Sequence, residues 1–238
     1  MTVNGATVTT LGTRALPTDR IIVDGKALRP RAPHVWVAVN KPAGVVTTAR
    51  DPEGRQAVTD LVPRALGRLF PVGRLDVQST GLVLLTNDGE TAARLLHPRY
   101  HVPRRYRVKV GGAPDEGVLR RMRRGVRLDD GRTAPARVHV EKKLPTKTWL
   151  DMTVFEGRSH LIRRLCDAVG HRVDKLERVA IGPVELGRLR RGETRLLEPK
   201  EVTALRRAHR APSASPRTSP RATPARGAKR SAVRHRRS

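Results

Sequence analysis

The segment from Gly73 to Gly89, GRLDVQSTGLVLLTNDG, constrains the fold more than any other part of the chain. Its second half, Leu82 to Leu85, is a short unbroken apolar run bounded by turn residues, which is the pattern of a buried strand. Its first half sets one carboxylate, Asp76, between Arg74 and the polar turn Gln78 to Gly81. Other elements must therefore cover the strand, and an acid is delivered where loop meets strand. Asp88 is placed to cap a helix over Glu90 to Leu96 that His97-Pro98 ends.

Upstream, Ala6 to Thr10 and Arg20 to Val23 read as short strands punctuated by Asn4-Gly5 and Asp24-Gly25 turns. Val35 to Asn40 reads as a buried strand that stops at Pro42. Ala57 to Leu66 suits a short helix or turn. Downstream, Arg104 to Val110 alternates at strand period, with Tyr106, Val108 and Val110 on one face and Arg105, Arg107 and Lys109 on the other. A helix is predicted over Asp115 to Arg124, followed by strands over Gly125 to Leu128, Thr133 to Glu141 and Trp149 to Phe155. Glu156-Gly157-Arg158 then launches a helix from Ser159 to Val169, with Ser159 as N-cap and Gly170 as stop. Short strands fill Val179 to Leu197 and a helix lies near Pro199 to Arg207. Strands outnumber helices and many are hairpin-connected, so the class is α+β around a largely antiparallel or mixed sheet.

A net charge of +27 on 238 residues makes nucleic acid the leading partner, because such a surface attracts polyanions and releases their counterions. Removing the eleven Lys and Arg residues from Arg206 onward, where no acid occurs, still leaves +16. An arginine-rich composition at large is the other source of such an excess. No basic amphipathic helix with an aromatic face points to a membrane surface, and no apolar run is long enough to span a bilayer. Cys166 is the single cysteine, so no internal disulfide forms and a cytoplasmic setting is expected. From about Ala208 the composition reduces to Arg, Pro, Ser, Ala and Thr, the signature of a disordered basic tail over 208–238.

No phosphate-binding loop, dinucleotide fingerprint or zinc spacing occurs. Taken singly, Asp76 reads as a turn residue or ion-pair partner of Arg74, Tyr106 as a core aromatic, and Arg163 as a solvated helix charge. Together with NKPAGVVTT (Asn40 to Thr48), DPEGRQAVTDLVP (Asp51 to Pro63), FPVGRLDVQSTGLVLLTNDG (Phe70 to Gly89), RRYRVKV, EGRSHLIRRL (Glu156 to Leu165) and LERVAIGPVELGRLRRGETRLL (Leu176 to Leu197), they change meaning. In that order these motifs resemble the RsuA/RluB/RluE/RluF family of ribosomal RNA pseudouridine synthases, and within it the RluB type most.

The resemblance implies a pseudouridine synthase fold, with a central, mostly antiparallel mixed β-sheet and flanking helices and loops. It divides the chain into a remnant of an N-terminal RNA-binding domain (1–30), a catalytic domain (31–207) and the tail. It implies that Asp76 is the catalytic carboxylate, that Tyr106 stacks on the target base, and that Arg163 pairs with Asp76, an opposite charge favouring the ionised form. The reaction then needs no cofactor. Ribosomal RNA is the implied partner of a monomeric enzyme, with the target uridine flipped from its stack and Lys41, Arg55, Arg74, Arg158 and Arg164 gripping phosphates. Two departures stand out. The leading helices of the N-terminal domain are missing, and Leu161 replaces a Gln usual in the helix motif. They keep open a second reading, a noncatalytic RNA-binding or ribosome-assembly factor on the same fold.

Overall fold

The computed structural model describes residues 1–16, 18–28, 32–49 and 51–208, so the tail predicted from the composition lies outside the described residues beyond 208. Four short strands open the chain: β1 (Thr2–Val3), β2 (Ala6–Thr7), β3 (Ile21–Val23) and β4 (Lys26–Ala27). They form a small antiparallel sheet in the order β2-β1-β3-β4. Asn4 and Asp24, at φ 50° and 49°, each precede a glycine of positive φ, which is the backbone a two-residue hairpin requires. The strand predicted to reach Thr10 stops at Thr7, and β2 pairs only with β1.

The main chain of elements continues with β5 (Trp36–Lys41), β6 (Phe70–Val72), β7 (Thr80–Thr86), helix α1 (Gly89–Leu96), β8 (Arg104–Gly111) and helix α2 (Glu116–Arg124). A small hairpin of β9 (Arg127–Leu128) and β10 (Gly131–Arg132) leads to β11 (Arg137–Lys143), β12 (Lys147–Val154) and helix α3 (Leu161–Asp167). The described chain ends with β13 (Val173–Ile181), β14 (Val184–Glu185), β15 (Thr194–Leu196) and helix α4 (Pro199–Ala208). Residues 57–66 form two single 3-10 turns rather than an α-helix. The strand predicted from Thr133 starts only at Arg137, because Thr133 and Ala136 bond back to Val126 and Arg123. Helix α3 starts two residues later than predicted. His160, at φ 51°, takes the cap position in a left-handed conformation, and Ser159 does not cap it.

Nine strands form one sheet in the order β11-β12-β8-β13-β7-β5-β15, with β14 on β13 and β6 on β7. Helices α2 and α3 pack on one face, where Leu119, Met122, Ile162 and Leu165 meet Val108, Leu150 and Val83. Helices α1 and α4 cover part of the other, where Leu95 and Leu205 meet Leu82, Leu84 and Trp36. Strand β7 lies between both layers, so Leu82 to Leu85 are all buried. Strand β8 is covered on one face only, so it alternates as predicted, with Tyr106, Val108 and Val110 inward. Among the described residues no helix is long and apolar enough to cross a membrane.

Every pairing in this sheet is antiparallel except one. β13 runs parallel to β7, with Glu177 opposite Thr80 and Arg178 opposite Gly81. The sheet is thus two antiparallel halves joined at a parallel seam, and the loop carrying Asp76 enters β7 at that seam. The close approach there requires glycine. Gly81 has φ 102°, and a Cβ at this position would lie 2.2 Å from the Arg178 carbonyl oxygen. Gly81→Ala is therefore expected to destabilise the protein by at least ~2 kcal/mol in chemical denaturation, combining backbone strain with a backbone clash. A variant as stable as the parent would show that the seam can open without loss.

Candidate active site

Asp76 sits in the loop between β6 and β7, in a cleft that Tyr106, Arg104, His160, Leu161 and Arg178 also line. The backbone around it is fixed residue by residue. Thr47 Oγ1 donates to the Leu75 carbonyl at 2.9 Å and accepts from the Leu75 N–H at 3.2 Å. On the other side, the Val77 carbonyl accepts from Gly44 N–H at 2.9 Å and from Lys41 Nζ at 3.1 Å. One residue before Leu75, the Arg74 carbonyl accepts from Arg178 Nη1 at 3.3 Å. Leu75 is itself packed in the core. A carboxylate on such a loop is pre-positioned, which is what an attack or proton-transfer geometry demands.

The carboxylate itself meets three groups. Arg163, on α3, places Nε 3.5 Å from Oδ2. Ser79 Oγ donates to Oδ2 at 3.4 Å and accepts from Arg163 Nη2 at the same distance, so the hydroxyl bridges acid and guanidinium. His160 Nε2 lies 3.8 Å from Oδ1, which gives the left-handed residue before α3 a role that helix capping would not predict. Tyr106 is 8% exposed, opposite Arg178 on β13 and Met152 on β12, so its ring is held by the sheet while it faces the cleft. The residues singled out in the sequence as a set, Asp76, Tyr106 and Arg163, thus come from three separate elements to one place.

The expected phosphate-gripping residues divide. Arg74 is exposed at the cleft and its guanidinium has no ion pair among the described residues. The other four are engaged elsewhere. Lys41 is fully buried, and its Nζ donates to the carbonyls of Pro42, Val45 and Val77 at 2.9, 2.7 and 3.1 Å. It therefore cannot meet a phosphate; three converging carbonyls hold it under the Asp76 loop. Arg55 forks onto Asp51 and pairs with Glu53, bracing its own loop. Arg158 bonds Glu156 and Asp130, and Arg164 bonds Asp129 and Asp130, so both pin the β9-β10 turn to the start of α3. Arg164 in turn holds both aspartates below the usual carboxylate range by hydrogen bonding. Cys166 is buried in the core, and burial pushes its thiol up to about 12, so it is unreactive.

Leu161 packs in the core beside Ile162 and Leu165 while forming one wall of the cleft. An apolar residue is thus accommodated there by packing. Thr47, Ser79, His160 and Arg178 were not singled out from the sequence. All four lie inside the quoted motifs, Ser79 in the one that carries the acid, but nothing local marked their partners.

The cleft thus holds a fixed carboxylate at the parallel seam of a mixed sheet, with an aromatic ring and guanidinia around it. A solved structure of a pseudouridylate synthase has a TM-score of 0.68 to this protein at 29% identity, covering 86% of this chain and 87% of that one. The chain matches the RNA pseudouridylate synthase model over residues 35–168. It is 42% identical over 207 residues to ribosomal large subunit pseudouridine synthase B of Bacillus subtilis, covering 86% of this chain and 84% of the relative. An RNA pseudouridine synthase of Aquifex aeolicus is 41% identical over 208 residues, covering 87% and 83%. The chain belongs to the RNA pseudouridylate synthase family and is an isomerase.

Proposed function

We propose that the protein converts a uridine of large-subunit ribosomal RNA to pseudouridine, with Asp76 as the catalytic carboxylate, Tyr106 as the platform for the flipped base, and Arg163 as the partner that aims Asp76. The observation that carries this reading is the Asp76 carboxylate within 3.5 Å of Arg163, on a loop held on both sides, in a cleft lined by Tyr106. The bond from uracil N1 to ribose C1′ breaks, the base turns, and C5 bonds to C1′. The C5 proton leaves and N1 gains one, so the product is an isomer. Asp76 drives the first cleavage, either by adding to the uracil ring or by acting at C1′. The large-subunit assignment rests on the Bacillus relative's name and its 42% identity.

Arg74 is the residue of the expected grip that faces the cleft unpaired among the described residues, and it supplies a phosphate contact there. The small exposed sheet of residues 2–27 supplies an accessory RNA contact. A reduced cytoplasmic setting suits a chain whose single cysteine is buried. Mapping pseudouridine in ribosomal RNA from cells with and without the protein tests the assignment. One large-subunit position should lose its modification and regain it on complementation. An unchanged map overturns the function, and a small-subunit position overturns the subunit.

A further inference from the structure

Arg104 and Arg178 line the same cleft as Asp76, from the neighbouring strands β8 and β13. Arg178 is 2% exposed and has no carboxylate partner among the described residues. Its Nε donates to the Leu82 carbonyl at 2.7 Å and its Nη1 to the Arg74 carbonyl, but Nη2 is buried with no acceptor among the described residues. Among the described residues Arg104 has two long contacts, each 3.4 Å, to the carbonyls of Val102 and Leu95. Burial pushes its guanidinium below the usual range; Tyr106 opposes that shift, and the charge of Arg178 adds to it by less. A buried cation without a counterion is destabilising, and a buried N–H without an acceptor adds to that.

The acids of the cleft do not supply the missing charge. Asp76 is committed to Arg163 and Ser79, and Glu156 to Arg158 and the Ala134 N–H. Three guanidinia of the cleft, Arg74, Arg104 and Arg178, therefore stand against no free carboxylate among the described residues. A cluster of this kind is completed by an anion with several acceptor oxygens, for which the guanidinium fork is suited.

We propose that Arg104 and Arg178 form a phosphodiester subsite that takes a backbone phosphate adjoining the target uridine. This rests on the RNA-modifying reading above. A nucleotide turned out of its stack toward Tyr106 brings its flanking phosphates with it, and these are the anions nearest the two guanidinia once the base is in the cleft. Neutralising the pair with substrate ties ground-state binding to correct seating of the base beside Asp76. Because Arg178 also holds the Arg74 carbonyl, the same guanidinium links the phosphate to the loop that carries the acid.

The test uses the full-length protein and a synthetic RNA spanning the mapped uridine, with a neutral methylphosphonate replacing either the 5′ or the 3′ phosphate of that nucleotide. For the parent protein, one replacement should raise KM about tenfold with kcat little changed. In Arg104→Gln the same replacement should change KM less than about twofold, since the contact is already gone. Arg104→Lys should recover part of the sensitivity by restoring the charge. Arg104 carries the test because its own hydrogen bonds are long, whereas Arg178→Gln disturbs the seam; thermal unfolding of each variant checks that the fold is kept. The proposal is overturned if neither methylphosphonate alters KM, if the penalty is the same in Arg104→Gln, or if that variant lowers kcat alone. Parent turnover of the unmodified RNA is read in the same assay, and its absence would count against the proposed function rather than the subsite.

Discussion

Asp76→Asn forms no detectable pseudouridine, with a rate lowered about 10⁴-fold or more, while RNA affinity stays within a few-fold and the melting temperature is nearly unchanged. The structure makes this substitution a clean probe. The backbone on either side of Asp76 is held by Thr47, Gly44, Lys41 and Arg178 through Leu75, Val77 and Arg74, so the loop does not depend on the carboxylate. Asn is isosteric and retains an acceptor for Ser79 Oγ. What it loses is the negative charge opposite Arg163 and the ability to attack carbon or carry a proton. Binding depends on the cationic surface and the aromatic wall, neither of which changes. Quantifying pseudouridine in a single-turnover assay at enzyme excess separates chemistry from affinity. Substantial product from Asp76→Asn would remove the acid from the mechanism and leave the cleft as a binding site only.

Some of this architecture was legible locally and some was not, and the division has a physical basis. The period-two pattern of β8 located Tyr106 on the inner face, because a strand covered on one side writes its orientation into alternation. Asp88 was recognisable as the cap of α1, and it accepts from the Thr91 N–H at 3.1 Å, since capping is a three-residue interaction. Lys41 was misjudged for the opposite reason. A lysine beside proline reads as surface, and only carbonyls brought in from Val45 and Val77 make its burial tolerable. The ion pairs of Arg158 and Arg164 are not legible locally because their partners, Asp129 and Asp130, lie in a hairpin whose docking is a tertiary event. The family motifs carried the convergence of Asp76, Tyr106 and Arg163, which no local periodicity contains. The parallel seam, which sets where Asp76 emerges, depends on the contact of Gly81 with Arg178.

Lys41→Met is expected to destabilise the protein by about 3 kcal/mol and to lower kcat about 100-fold in the molecules that remain folded. Met fills a similar volume but offers no donor, so the Val45 carbonyl and the Lys41-facing lone pairs of Pro42 and Val77 lose their partner in a buried place. Val77 adjoins Asp76, so the loss reaches the reacting group as a shift of position. The ammonium also sets a pH signature. Burial pushes its pKa from 10.5 down to about 8, with Asp76 opposing that shift and Arg178 adding to it. Below pH 8 the lysine is charged in both folded and unfolded chains, and the cost of burying the charge, about 3 kcal/mol, is present in full. Between pH 8 and 10.5 the unfolded chain binds the extra proton, so this group's contribution makes the fold more stable as pH rises. The loop responds in the opposite sense: a neutral amine has two N–H donors for three carbonyls, and kcat should fall as pH passes 8. Parent kcat and denaturation free energy measured across this range, against Lys41→Met, should show both trends in the parent and neither Lys41 component in the variant. If Lys41 met RNA instead, Lys41→Met would raise KM and flatten the salt dependence at unchanged stability, and that outcome would refute its placement beneath the loop.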